Sequence, residues 1–160
     1  MITELLQEEK AFTKSDGFKK AKILSKEIVA VTGLDIFRNT RKSDYIEARA
    51  IFNFILYNSI GLSLHKIATF YRVHNKNMDH ATVLHSLKNF DVYRRFSKNV
   101  NEWLEKLEAT ELGDSSKRAL MSQFVTFLEE DRLDSAYNFL KDLYYQQEEE
   151  FKHSQQKVKN

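Results

Sequence analysis

At 160 residues the chain is long enough for one compact domain with a real core, or one domain plus an appendage, and too short for two full enzyme domains. It carries no proline, four glycines and no cysteine, which excludes a turn-rich β fold, a disulfide framework and a thiolate nucleophile. The net charge of +2 conceals an uneven distribution: residues 1–37 hold six Lys against six acids, residues 38–100 eleven Lys or Arg against four acids, and residues 101–160 eight against thirteen.

Abundant Leu, Ala, Lys, Glu and Gln with so little punctuation predict an all-helical protein. The positive middle segment is where a nucleic-acid surface would have its charge, and the acidic last third is the part least suited to touch one. The N-terminus lacks the apolar stretch of a secretory signal, and no apolar run approaches a membrane span, so a soluble cytoplasmic protein is expected.

Residues 1–17 read as an N-terminal helical segment: Leu5, Leu6 and Phe12 suit a short helix over 3–14, and Ser15-Asp16-Gly17 breaks it. From Phe18 to Val31, Ile23, Leu24, Ile28 and Val31 recur at helical spacing, and Thr32-Gly33 ends that helix as a left-handed C-cap would. Asp35-Ile36-Phe37 has room for one turn that plugs two apolar side chains into the core. The basic run Arg38-Asn39-Thr40-Arg41-Lys42-Ser43 follows. Ser43 or Asp44 is placed to cap the next helix, whose Tyr45, Ala48, Phe52, Ile55 and Ser59 repeat at 3-4-3-4 spacing with Ile51 and Leu56 widening the apolar face. Arg49, within it, has two readings of equal weight, a phosphate contact or a surface ion pair with Glu47 or Asp44.

After a break at Asn58-Ser59-Ile60-Gly61, Leu64, Ile67, Ala68 and Tyr71 form the buried stripe of a short helix. Its first amides, with Ser63, suit one phosphate, and His65 and Lys66 would flank it. Arg72 to Met78 makes a turn, and then comes Asp79-His80-Ala81-Thr82-Val83-Leu84-His85-Ser86-Leu87. Val83, Leu84, Leu87 and Phe90 fall on one side of this helix, leaving Asp79, Thr82, His85, Ser86 and Asn89 on a small polar face that fits a major groove. Asp79 suits either the N-cap or acceptance from an exocyclic base amine, and His80 can donate to a purine acceptor. The methyls of Ala81 and Thr82 match a thymine methyl, and His85 reads as a groove contact or a structural histidine.

Helix is expected to continue through Asp91–Ala109 on Val92, Phe96, Val100, Trp103, Leu104 and Leu107, with a linker at Thr110–Ser116. Residues 115–152 read as a helical hairpin, its first helix on Leu120, Phe124, Phe127 and Leu128 and its second on Leu133, Ala136, Leu140, Leu143 and Tyr144. The hairpin's aromatic-rich face would pack on the chain's own core, on a second copy or on another protein; residues 153–160 would form a frayed tail.

Asp79-His80-Ala81-Thr82-Val83-Leu84-His85 resembles the Asp-His-Thr-Thr-Val signature of the C-terminal DNA-binding domain of the bacterial chromosomal replication initiator family, DnaA. Arg41, the pair Ala48-Arg49, Ser63-Leu64 and Ile67 follow that family's order and spacing, so the resemblance covers roughly residues 20–96. It implies a domain IV, Trp-repressor-like helix-turn-helix bundle over residues 18–109, with the hairpin added. It further implies double-stranded DNA as partner, Arg41 in the minor groove, residues 79–82 and 85 in the major groove, and Arg38, Lys42, Arg49, Ser63, His65, Lys66, Arg72 and Lys76 at phosphates. The chain departs from the family in a turn at 72–78 about four residues longer, in Met78 where the family has arginine, and in Ala81 in place of threonine.

The initiator's phosphate-binding loop is missing, because no Gly-x-x-x-x-Gly-Lys-Ser/Thr occurs. His65, His74, His80 and His85 come with no cysteine and no His-Glu-x-x-His pattern, so no metal or other cofactor is expected, and no nucleophile is placed with a base. The expected function is non-enzymatic, sequence-selective DNA binding in replication or transcription control. The alternative is a protein-interaction module that keeps the fold and works through its acidic, aromatic hairpin. A weaker third reading is a single-strand binder using Phe70 and Tyr71.

Overall fold

A computed structural model describes residues 1–110 and 128–159, with 118, 121 and 125 between them. The described elements are helical: α1 (Ile2–Thr13), α2 (Asp16–Thr32), α3 (Ser43–Ile55) running into a π turn (Leu56–Ile60), α4 (Leu64–Val73), α5 (His80–Phe96), α6 (Lys98–Glu108) and α7 (Glu130–Lys159). Contacts divide the chain into two compact units, Met1–Ala119 and Leu120–Asn160. None of the described helices is long and apolar enough to cross a membrane.

The first unit is built around α3, whose Ala48, Ala50, Ile51, Phe52 and Ile55 are all buried, as is Leu56 of the π turn. A helix apolar on nearly every side must be wrapped, and α2, α5 and α6 pack against it. Ala21, Leu24 and Ile28 come from α2, Val83 and Phe90 from α5, and Val100, Trp103, Leu104 and Leu107 from α6. Phe90 stacks on Phe54 with ring centroids 4.0 Å apart, so α5 is registered on α3 by one aromatic pair. The N-terminal segment belongs to this unit: Phe12 is buried and meets Phe18 edge-on at 5.3 Å.

Chain reversals follow local chemistry. Ser15 caps α2 by accepting from the Phe18 amide, and Gly33 closes it at φ +72 with its amide donating to Val29. Gly61, at φ +80, ends the π turn, and the Leu62 amide reaches back to the Leu56 carbonyl at 2.9 Å. Ile36 is fully buried and Phe37 half-buried, so the short turn after α2 does plug the core.

Several expectations fail for identifiable reasons. Neither Ser43 nor Asp44 caps α3; the N-cap is Lys42, and the Asp44 carboxylate accepts from the Tyr45 amide instead. Helix does not continue through residue 97. Ser97 adopts an extended backbone, its hydroxyl accepts from the Val100 amide to start α6 and donates to Glu47 Oε2 at 2.9 Å. That bend releases Val92 and Phe96 from the core, leaving Phe96 84% exposed. Leu84 also stays partly exposed, so the packing stripe of α5 is narrower than its spacing suggests.

In the second unit α7 runs for 30 residues to Lys159, so residues 153–159 are helical. The linker at 110–116 beyond Thr110, and the hairpin's first helix on Leu120, Phe124 and Phe127, lie outside the described residues.

Candidate nucleic-acid interface

Three segments supply the residues singled out by sequence: the loop 38–42, the start of α4, and the turn leading into α5. Each is held by a different device.

The loop is secured from beneath by Arg49. Its Nε donates to the Ile36 carbonyl at 2.8 Å, Nη1 to Thr40 O at 3.0 Å and Nη2 to Arg38 O at 2.5 Å. One planar guanidinium thus gathers three carbonyls of a segment that has no helix or sheet to satisfy them. With Arg49 only 7% exposed, both sequence readings fall: it faces neither a phosphate nor an acidic partner at the surface. Burial pulls its pKa down, partly offset by Tyr71, Asp35 and Tyr45.

Lys76 secures the same loop from the side. Equally buried, its Nζ lies 3.4 Å from both Arg38 O and Asn39 Oδ1, so it too leaves the phosphate-contacting set. Burial, then the neighbouring Arg49, lower its pKa. The enlarged turn is therefore packed into the domain. Asn75 takes a left-handed φ of 61, Met78 is buried, and His74 stacks on Phe37 at 4.5 Å while its Nδ1 meets Phe70 O at 2.8 Å.

At the α4 start, Ser63 Oγ accepts from the Lys66 amide at 3.2 Å, and Ser63, His65 and Lys66 are exposed. The His65 ring sits 4.5 Å from the ring of His80, which joins the first turns of α4 and α5. At the α5 start, Asp79 Oδ1 accepts from the Thr82 amide at 2.7 Å, which identifies the N-cap. That hydrogen bond is the largest of the effects holding the Asp79 carboxyl below its ordinary range. His80, Ala81, Thr82 and His85 all point outward, and Asn89 Nδ2 lies 3.0 Å from His85 Nε2. His85 is thus an exposed side chain, not a structural one.

Lys76 and the histidine pair bring the three segments to the start of α5. In these segments Arg38, Arg41, Lys42, His65 and Lys66 are exposed, and residues 36–43, 61–69 and 72–82 contain one carboxylate, Asp79. Arg72 is exposed on α4, with Nη2 on Thr69 Oγ1 at 2.8 Å. No family model, curated protein or solved structure matches this chain. The interface therefore rests on its own residues and geometry.

Two features escape the sequence patterns. Tyr71 of α4 donates to Asn53 Oδ1 at 2.7 Å, and Asn53 Nδ2 donates to Ser86 Oγ of α5 at 3.2 Å. This chain, buried at Tyr71 and Asn53, ties α3, α4 and α5 together. Its signal was a lone Asn in the apolar run Ile51-Phe52-Asn53-Phe54-Ile55. The second is a groove between α1 and α4, lined by Glu8 and Glu9 on one side and His65, Lys66 and Arg72 on the other.

Proposed function

We propose that the first unit binds double-stranded DNA sequence-selectively, reading bases with the first turns of α5 in the manner of the helix-turn-helix that the 79–85 motif resembles. The observation that supports this most is a polar, exposed helix start whose single carboxylate is engaged as a cap, joined through Lys76 and the His65–His80 pair to segments that expose Arg38, Arg41, Lys42 and Lys66. Phosphates repel carboxylates and attract guanidinium and ammonium groups, and a small polar helix face fits the major groove.

In this reading Arg41 enters the minor groove, His80, Ala81, Thr82 and His85 meet base edges, and Asp79 keeps one oxygen for a base amine. Arg38, Lys42, Ser63, His65, Lys66 and Arg72 meet phosphates. Arg49 and Lys76 act from behind, holding the loop at the height the minor-groove arginine requires. No catalytic step is part of the proposal; the role is occupancy of a site in replication or transcription control.

The test is a fluorescence titration of a random 25-base-pair duplex, comparing Arg41→Glu and Lys66→Glu with Lys26→Glu, an exposed residue of α2. Losses of about tenfold or more for the first two, with Lys26→Glu within about twofold of the parent, are expected. Equal losses for all three would mean that charge alone, and no defined face, drives binding.

A further inference from the structure

Helix α7 exposes a long apolar stripe. Tyr137 and Phe151 are each 64% exposed, and Leu133, Leu140, Tyr144 and Val158 are exposed with them. They fall on two lines of seven-residue spacing, Tyr137, Tyr144, Phe151 and Val158 on one, and Leu133 and Leu140 on the other, which the polar Gln147 and Ser154 continue. A strict seven-residue repeat holds its stripe in register only along a partner helix that supercoils with it, because a straight helix drifts about 20° per heptad. The helix is 30 residues long, about 45 Å at 1.5 Å per residue.

We propose that this stripe pairs with α7 of a second copy of the chain, running antiparallel. The direction follows from size and charge. Side by side in the same direction, identical residues would meet: Tyr137 on Tyr137, Phe151 on Phe151, and Ser154 on Ser154 with space left over. Run antiparallel, the layers become Leu133 with Val158, Tyr137 with Ser154, Leu140 with Phe151 and Tyr144 with Gln147, each pairing a larger with a smaller or complementary side chain. Charge agrees. Residues 129–134 carry Glu129, Glu130, Asp131 and Asp134 against Arg132, and residues 152–159 carry Lys152, Lys157 and Lys159 with no acid. The antiparallel arrangement lays each acidic end along a basic one and sets Lys141 opposite Glu148; the parallel one lays acid along acid. The helix dipoles also oppose.

The chain has no cysteine, so single cysteines placed in the full-length protein report the layers directly. Sedimentation of the parent chain should show a monomer–dimer equilibrium in the micromolar range, shifted to monomer by Leu140→Asp, with the circular dichroism of the first unit's helices retained. Under mild oxidation, Leu140→Cys mixed with Phe151→Cys should give the mixed disulfide dimer, and neither variant alone should crosslink efficiently. A parent chain monomeric at 100 micromolar would overturn the proposal by showing that the stripe is covered within one chain or stays bare. Self-crosslinking of Leu140→Cys alone would overturn the antiparallel direction. Dimers that survive Leu140→Asp would place the contact elsewhere in the chain.

Discussion

Arg49 illustrates how one side chain can decide a surface that it never reaches. Its three hydrogen bonds to Ile36, Arg38 and Thr40 carbonyls are charge-assisted, and the one to Ile36 is buried, so losing the guanidinium leaves that carbonyl without its partner. Arg49→Met is expected to destabilise the first unit by about 3 kcal/mol in urea denaturation and to weaken DNA binding through a disordered Arg41. Lysine at the same position offers one point donor in place of a planar fork and should rescue little. Lys76 behaves differently. Its folded-state pKa is lowered by burial and by Arg49, so the folded protein binds fewer protons than the unfolded chain between that lowered value and the ordinary lysine value. Stability should therefore rise with pH across that interval, and Lys76→Met should remove the rise. Asp79 has the same sign in an acid window: its carboxyl is depressed by the Thr82 amide, so its contribution is present above the ordinary carboxylate range and lost as pH falls through the depressed value. Amide exchange at His80–Thr82 should accelerate first in that acid window.

At the scale of elements, the polar chain Tyr71–Asn53–Ser86 holds α4 and α5 on α3. Asn53→Leu would leave the Tyr71 hydroxyl buried without an acceptor and should lower stability by about 1–3 kcal/mol; adding Tyr71→Phe should recover most of it. A double-mutant cycle by thermal denaturation checks the coupling. The groove between α1 and α4 makes a further prediction. Glu8 and Glu9 line it opposite Lys66 and Arg72, so they oppose a phosphate bound there, and Glu8→Gln with Glu9→Gln should tighten DNA binding by about threefold at low salt, with the gain fading as salt rises.

The elements themselves were mostly legible, because helical spacing of apolar residues and the Gly33 and Gly61 breaks are local signals. What was not legible came from distant contacts. Nothing adjacent to Arg49 announces that the carbonyls of residues 36–40 lie over it. Nothing in the turn 72–78 announces that Lys76 and Met78 turn inward. Ser97 reads as an ordinary helix position until Glu47, fifty residues away, accepts a hydrogen bond from its hydroxyl. The exposure of His80, Ala81, Thr82 and His85 was legible in the sequence, and Arg49 and Lys76 were misread because charged side chains were taken to face solvent.

For the whole molecule, the two units carry opposite charge biases that suit different partners. The stretch 38–100 holds eleven Lys or Arg against four acids, and α7 carries an acidic first end and a basic last one. A face using Arg38, Lys42, Lys66 and Arg72 as its phosphate-facing cations should give a slope of log affinity against log salt of about −3 to −4. The most direct test of base reading is selection of the full-length protein on a randomised duplex library at moderate salt, with Arg41→Ala and His80→Ala alongside. One enriched motif is expected for the parent, lost or degraded in both variants, while binding to random DNA falls far less for His80→Ala. Retention without any enriched motif, equal in parent and variants, would contradict base reading.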